Sequence, residues 1–196
     1  MPIGTDLGAG LEPGRPVVRR IVGPKDEALE RATAAGLAVM VGRYSVEKYA
    51  GEVAPENLYE IVECPPNLFL TAGCTRLWEL VAGASSTHLD ATNARLCVGD
   101  SATAAAVGDT DLLGTNKLRK VVSGAPVISG RQITFSALFG TGDANYAWLE
   151  VGVSWAASGA NTLLSRSAIT SPGLGTKVNT AQWVLNWTLG ISSTAG

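Results

Sequence analysis

Residues 131–165 read RQITFSALFGTGDANYAWLEVGVSWAASGANTLLS, and this stretch decides the fold class of the chain. Apolar and polar residues alternate along residues 133–138 and again along residues 148–155, the period of two that is typical of half-buried β-strands. The Gly-Thr-Gly-Asp sequence at 140–143 predicts a turn between these strands, because glycine tolerates positive φ and aspartate hydrogen-bonds nearby backbone. Residues 158–161 predict a second turn before a third strand. We therefore expect two long strands joined by one turn, in the middle of a β-sandwich.

The same pattern extends through the C-terminal half of the chain. Turn signals recur about every ten residues, the spacing expected of a sandwich or jelly roll. Further strands are predicted at residues 94–98, 117–122, 163–169 and 180–192. The prediction is a mainly β protein whose residues 93–196 form an antiparallel, jelly-roll-like β-sandwich.

Residues 24–92 are predicted to be an α+β part with one or two helices. Helix signals occur near residues 24–36 and again near 67–83, where apolar residues recur at the spacing of one helical face. That spacing places Trp78 on the buried face as a core anchor. Alternation over residues 44–49 predicts an edge strand between the helices.

Residues 1–23 are predicted to form an extended N-terminal arm. The segment is rich in glycine and proline, so that alone it buries too little surface to offset its ordering entropy. We expect it to become ordered against a partner, with packing back onto its own domain as the alternative. The expected partner-binding residues are its apolar side chains Val17, Val18, Ile21 and Val22.

Composition argues against several classes of protein. Charged residues make up only 16% of the chain, and the net charge is −2. Nucleic acids and anionic membranes attract a basic excess, so neither is an expected partner. No apolar run reaches the roughly 20 residues of a membrane-spanning helix, and no secretory signal is recognised. Cys64, Cys74 and Cys97 form no CxxC pair, which favours free thiols and assembly in a reducing cytoplasm.

Motifs for chemistry are sparse in this sequence. His88 is the only histidine and lies in a Ser/Thr/Asp-rich loop without a nucleophile motif. Several loop side chains have two interpretations, as calcium ligands or, preferably, as turn-capping groups: Asp90, Asn93, Asp100, Asp109 and Asp111. The sequence therefore predicts no catalytic residue, no cofactor and no metal site.

Two further groups of charged residues remain open to interpretation. Asp143 and Glu150 lie near the middle of the β region and are the only carboxylates there for a glycoside-hydrolase pair, a reaction class that sequence alone leaves open. Lys117, Arg119 and Lys120 form a small basic patch, which we interpret as a solvated strand or a partner contact.

Five segments together resemble virion proteins of tailed bacteriophages, a group of structural, decoration and tail-fibre-like β-sandwich proteins. The segments are NLFLTAGCTRLWELVAG, NARLCVGDS, NKLRK, ITFSALFGTGDANYAWLEVGV and GTKVNTAQWVLNWTLGIS. The resemblance spans residues 44–192 and brings no catalytic residues with it. It implies a non-enzymatic protein of the virion, assembled in the host cytoplasm.

The first expectation from this resemblance is a capsid decoration or cement protein that binds the phage head through its N-terminal arm. Its partners would be the major capsid protein or other virion proteins, and a homo-oligomer such as a trimer fits. The alternative is a tail-fibre or baseplate module that binds a host receptor or other tail proteins. A carbohydrate-active enzyme on a jelly roll is a third, weaker hypothesis.

Overall fold

A computed structural model of the chain describes residues 17–21, 27–35, 38–169 and 173–192. It is mainly β, with 43% strand and 11% helix. In chain order its elements are β1 (Val18–Ile21), α1 (Glu27–Ala34), β2 (Val39–Tyr49), a 3-10 turn (Pro55–Asn57), β3 (Leu58–Pro66), β4 (Leu68–Phe69), α2 (Thr71–Val81), β5 (Arg95–Gly99), β6 (Lys117–Val121), β7 (Val127–Ser129), β8 (Gln132–Phe139), β9 (Glu150–Ser154), β10 (Leu163–Ala168) and β11 (Gln182–Ser192).

The strands form two sheets. The larger sheet has the order β1-β3-β2-β11-β8-β7, and the smaller has the order β4-β10-β9-β5-β6. Every pair is antiparallel except β1 with β3, which is parallel. The predicted mainly β, antiparallel sandwich is therefore confirmed. The larger sheet contains strands from both sides of residue 93, so the predicted division at that residue does not separate the two sheets.

The core lies between the sheets and is rich in aromatic residues. Alternate residues of β11, including Trp183 and Trp187, are buried there, as expected for a strand with one face toward the core. Trp148 packs edge-on between Phe139 and Trp183, with ring centroids 4.7 and 4.8 Å apart. Such aromatic pairs add stability beyond the area they bury.

Residues 131–165 do not form the single hairpin that the sequence suggested. The turn at 140–143 is present, since Asp143 N donates to Gly140 O over 3.1 Å. However, β8 belongs to the larger sheet and β9 to the smaller, so residues 140–149 cross from one sheet to the other. The expected hairpin occurs one strand later, where β9 pairs with β10. The reason is that β9 is buried on both faces, which suits a position inside the smaller sheet.

The predicted edge strand at residues 44–49 is wrong in its position. β2 is longer and lies between β3 and β11. Its charged residues are accommodated because they have partners inside the sheet. Glu47 accepts hydrogen bonds from Tyr49 and Asn186, and Lys48 donates to Glu60 over 2.6 Å.

The two predicted helices are present, but Trp78 is not a core anchor. α1 lies within the predicted range, and the ends of that range fall outside the described residues. α2 packs against β10 through Gly73, where a Cβ would overlap the carbonyl of Leu164. This close approach turns Trp78 outward, so that 68% of it is exposed. The prediction failed because the face of α2 that packs against β10 is set by Gly73, which has no side chain and so adds nothing to the apolar pattern.

Candidate functional site

The candidate interface is the edge of the larger sheet formed by β1. Residues 18–21 pair in parallel register with Glu60–Glu63 of β3. The expectation that the arm is ordered only by a partner is therefore wrong for these four residues, because they join the sheet of their own chain. Residues 1–16 of the predicted arm, and Val22 with them, lie outside the described residues.

The apolar side chains of this edge face solvent. Val18 is 56% and Ile21 77% exposed, and Val17 is also exposed. On an edge strand, the backbone groups directed away from the sheet are available to pair with another strand. Among the described residues, β1 thus combines an edge position in the sheet with exposed apolar groups, which is the arrangement that strand addition by a partner requires.

Polar contacts hold β1 in place. Arg20 Nε donates to Glu60 Oε1 over 2.8 Å, and Arg20 also donates to the carbonyl of Gly173 over 2.9 Å. The same Glu60 carboxylate accepts from Lys48, whose ammonium lies 4.5 Å from the ring centre of Trp183. Because attachment uses charged groups, the apolar groups of β1 stay free for other contacts.

The pKa values of this cluster follow from burial and pairing. Burial alone would raise the pKa of Glu60, but hydrogen bonds from Arg20 and Lys48 outweigh it and the pKa is lowered. Burial lowers the pKa of Lys48, in part offset by Glu60. The carboxylate is therefore ionised at neutral pH and can hold both cations.

A groove of about 410 Å³ lies beside β1 on the outer face of the larger sheet. It is lined by polar and apolar side chains from β1, β2, β3 and β11, among them Arg19, Arg43, Ile61 and Thr188. Arg19 and Glu63 form a long, exposed ion pair at 3.7 Å. The groove gives a partner strand polar contacts next to the apolar ones.

Apolar groups are also exposed elsewhere, among other places on β7 and on α2. β7, at the opposite edge of the larger sheet, has Val127 and Ile128 exposed. On α2, Trp78 and Val81 are three residues apart and exposed on the same side of the helix. Sequence reasoning missed both surfaces. Strand alternation does not tell which strands lie at a sheet edge, and Trp78 was assigned to the core.

The two candidate catalytic carboxylates have structural partners. Glu150 is fully buried and accepts hydrogen bonds from Arg166 Nε, Gly114 N and Leu113 N at 2.6, 2.6 and 3.1 Å. Asp143 accepts from Lys120 Nζ at 2.6 Å and from the backbone of its own turn at 2.8 Å. Each carboxylate stabilises the loop that it contacts, and the structure gives them separate surroundings.

The loop carboxylates mostly cap turns, as the preferred interpretation held. Asp90 accepts from the backbone of Thr92 and Asn93, and Asp100 accepts from Asn116. Asp109 and Asp111 have a further function, because they bind Arg166 and Arg119 of the smaller sheet. In the described part of the chain, no three His, Cys, Asp or Glu side chains cluster as metal ligands would.

The three side chains of the basic patch all form ion pairs within the chain. Lys117 and Arg119 both contact Asp111, at 2.8 and 2.6 Å, and Lys120 contacts Asp143. The interpretation as an open partner contact is therefore not favoured by the geometry. Burial would raise the pKa of Asp111, but the hydrogen bonds from Lys117 and Arg119 outweigh this effect and the pKa is lowered.

The cysteines and the single histidine have no partners that suggest a reactive site among the described residues. Cys64, Cys74 and Cys97 are free thiols, as expected, and burial raises the pKa of Cys64 and of Cys97 to about 12. His88 is exposed in the loop after α2. Among the described residues, no helix has the length and apolar character needed to cross a membrane.

Comparison of the chain with protein-family models, with curated proteins and with solved structures finds no match.

Proposed function

We propose that this chain is a non-enzymatic structural protein of a bacteriophage virion, most specifically a capsid decoration or cement subunit. The proposal is supported by the sequence resemblance and by one structural observation above others, the open β1 edge with its exposed Val18 and Ile21. The partner would be the major capsid protein or another virion protein, met at or next to this edge.

Strand addition is the physical mechanism that fits this edge. An extended segment of the partner would pair with the outward backbone groups of β1 and extend the larger sheet by one strand. Burying one large aliphatic side chain contributes about 1.5–3 kcal/mol. Covering Val18 and Ile21 would therefore offset part of the cost of ordering the partner segment. Residues 1–16 precede β1 directly and would extend the contact.

Exposed apolar groups on several sides support a subunit that sits among neighbours. The exposed apolar groups on β7 and α2 lie outside the β1 edge, and exposed apolar surface of this kind marks interaction sites. Trp78 is a tryptophan, and tryptophan is among the residue types that most often contribute a large share of the binding energy at protein interfaces. These additional surfaces fit a homo-oligomer, such as a trimer, on a capsid lattice.

The test is binding of a double variant, Val18→Asp with Ile21→Asp, to virions that lack this protein. The variant should still fold, because both side chains are exposed, although each aspartate faces a glutamate of β3 and lowers the melting temperature somewhat. It should fail to coat the particles. Val53→Asp is the matched control, since Val53 is an exposed valine in a loop. Full occupancy by the double variant would contradict the proposal.

A tail-fibre or baseplate module is the second candidate, and one feature favours it. Residues 157–161 are exposed, yet the loop is held in place because Arg119 donates to Gly159 O and Asn161 N donates to Thr110 O. A fixed, exposed loop is the usual carrier of receptor specificity. Copy number per virion separates the candidates, since a decoration protein is present in hundreds of copies and a tail module in few.

A further inference from the structure

The crossover between the two sheets brings a buried lysine against an asparagine side chain. Lys177 lies shortly before β11 and is only 1% exposed. Its Nζ donates to Asn145 Oδ1 over 3.0 Å and to Gly140 O over 2.6 Å. Asn145 is itself held by a hydrogen bond from its Nδ2 to Thr141 O at 2.8 Å. The amine and the carboxamide are thus fixed in contact.

A carboxylate accompanies this pair. Asp143 is two residues before Asn145, and its charge acts on the Lys177 ammonium. Burial lowers the pKa of Lys177, which favours the neutral, nucleophilic amine. Burial would raise the pKa of Asp143, but hydrogen bonds from Lys120 and from Gly140 N outweigh it and the pKa is lowered. Asp143 is therefore ionised, and its negative charge stabilises the positive charge that develops on Nζ as the amine attacks.

The backbone at this point is strained. Ala144, between Asp143 and Asn145, has φ 48°, in the left-handed region that residues with a Cβ seldom adopt. Strain of this kind concentrates where a function needs fixed geometry. Here it holds the carboxylate and the carboxamide on one short bend.

We propose that Lys177 and Asn145 react to form an intramolecular isopeptide bond. Lys177 Nζ attacks Asn145 Cγ, the Cγ–Nζ bond forms, and the Cγ–Nδ2 bond breaks. A proton passes from Nζ to the departing nitrogen, and the negative charge of Asp143 stabilises the positive charge on nitrogen during this transfer. Overall, a lysine ammonium and an asparagine carboxamide give a secondary amide and an ammonium ion. Neither oxidant nor co-reactant is needed.

The bond would join two segments that are 32 residues apart in sequence. One is the crossover from the larger to the smaller sheet, and the other leads into β11, an interior strand of the larger sheet. A covalent link between them restricts the unfolded chain in the way that a disulfide does. It would strengthen a subunit without requiring an oxidising environment.

Intact-mass spectrometry of the full chain, after incubation in mildly alkaline buffer, tests the inference. The wild-type chain should lose about 17 Da, the mass of the ammonia released by this acyl transfer. Proteolysis should then yield one branched peptide containing both Lys177 and Asn145. Lys177→Arg keeps a cationic donor but not the nucleophile, so its mass should stay unchanged. Asn145→Ser should behave likewise, and circular dichroism of both variants checks that they fold.

Lys120→Arg is the matched control, because the Lys120 amine contacts Asp143 rather than Asn145. This variant should still lose ammonia. Asp143→Asn should slow the loss, because it removes the charge that stabilises the cationic nitrogen. A wild-type chain of full mass with no branched peptide would overturn the inference. Loss of ammonia that persists in Lys177→Arg would also overturn it, since it would report cyclisation of Asn145 onto its own backbone.

Discussion

The Glu150 carboxylate and the Arg166 guanidinium lie 2.6 Å apart, and neither side chain is exposed to solvent. They occupy the outer face of the smaller sheet, beneath residues 100–116. Arg166 also donates to Thr103 O and to Asp109 Oδ2, at 2.8 and 2.9 Å. The ion pair therefore holds down a long loop that has no regular secondary structure. The outer face of the smaller sheet, which this loop covers, is buried as completely as the core.

Arg166→Met should destabilise the protein by about 3–5 kcal/mol, because it leaves the buried Glu150 carboxylate without its cation. Arg95→Met is the control, since Arg95 on the same sheet donates to the neighbouring carbonyls of Thr92 and Ala94 and forms no ion pair with a described residue. Urea unfolding at neutral pH measures both. Equal and small losses in the two variants would show that the buried pair contributes nothing particular to stability.

Gly73→Ala should destabilise the protein by about 1–3 kcal/mol, as overpacking does, although alanine favours helix more than glycine. The added Cβ meets the backbone carbonyl of Leu164, which cannot rotate away as a side chain would. Gly124→Ala is the control, because a Cβ there has open space around it. Thermal unfolding gives the comparison. A rise in melting temperature for Gly73→Ala would mean that α2 moves off β10 without cost.

Strand positions could be predicted from the sequence because strand periodicity is local. β8 and β11 bury alternate residues as their alternation predicts. The assignment of β8 and β9 to different sheets could not be predicted, since the same Gly-Thr-Gly-Asp turn serves a hairpin or a crossover. The position of residues 100–116 depends on Arg166 and Glu150, far away in sequence, and leaves no local pattern.

The candidate interface was only partly predictable. Val18 and Ile21 could be identified as apolar groups in a segment of low burial, and they are exposed. Their parallel pairing with β3 has no local signal, because a parallel pair requires a distant partner and a crossover. The contact between Lys177 and Asn145 is likewise formed by two loops that only the completed sandwich brings together.

Ala144→Gly should stabilise the fold by about 0.5–1 kcal/mol. Glycine relieves the left-handed strain, worth about 1–2 kcal/mol, and loses part of that gain to a more flexible unfolded chain. Ala137→Gly in β8 is the control and should destabilise, since Ala137 is buried in a regular strand. Urea midpoints of the two variants should move in opposite directions. A loss of stability in Ala144→Gly would show that the methyl group contributes more than its strain costs.

Asp111 should make stability depend on pH at the acid end. Its pKa in the folded protein is lowered, with burial opposed and outweighed by hydrogen bonds from Lys117, Arg119 and the backbone of Leu112. A carboxyl whose folded-state pKa lies below its unfolded value, about 3.9 for aspartate, contributes stability above that value. The contribution is lost as the pH falls through the folded-state pKa. Asp111→Asn should therefore be less stable than wild type at neutral pH and should approach it in acid.

Urea unfolding of Asp111→Asn and wild type at a series of pH values from neutral to strongly acidic measures this difference. Because Asp111 is partly exposed, solvent screening limits its size. Glu52→Gln is the control, since Glu52 is exposed and its side chain forms no ion pair among the described residues. That variant should follow the wild-type pH curve throughout. A difference between Asp111→Asn and wild type that stays constant down to acid would show that the charge of Asp111 does not stabilise the loop.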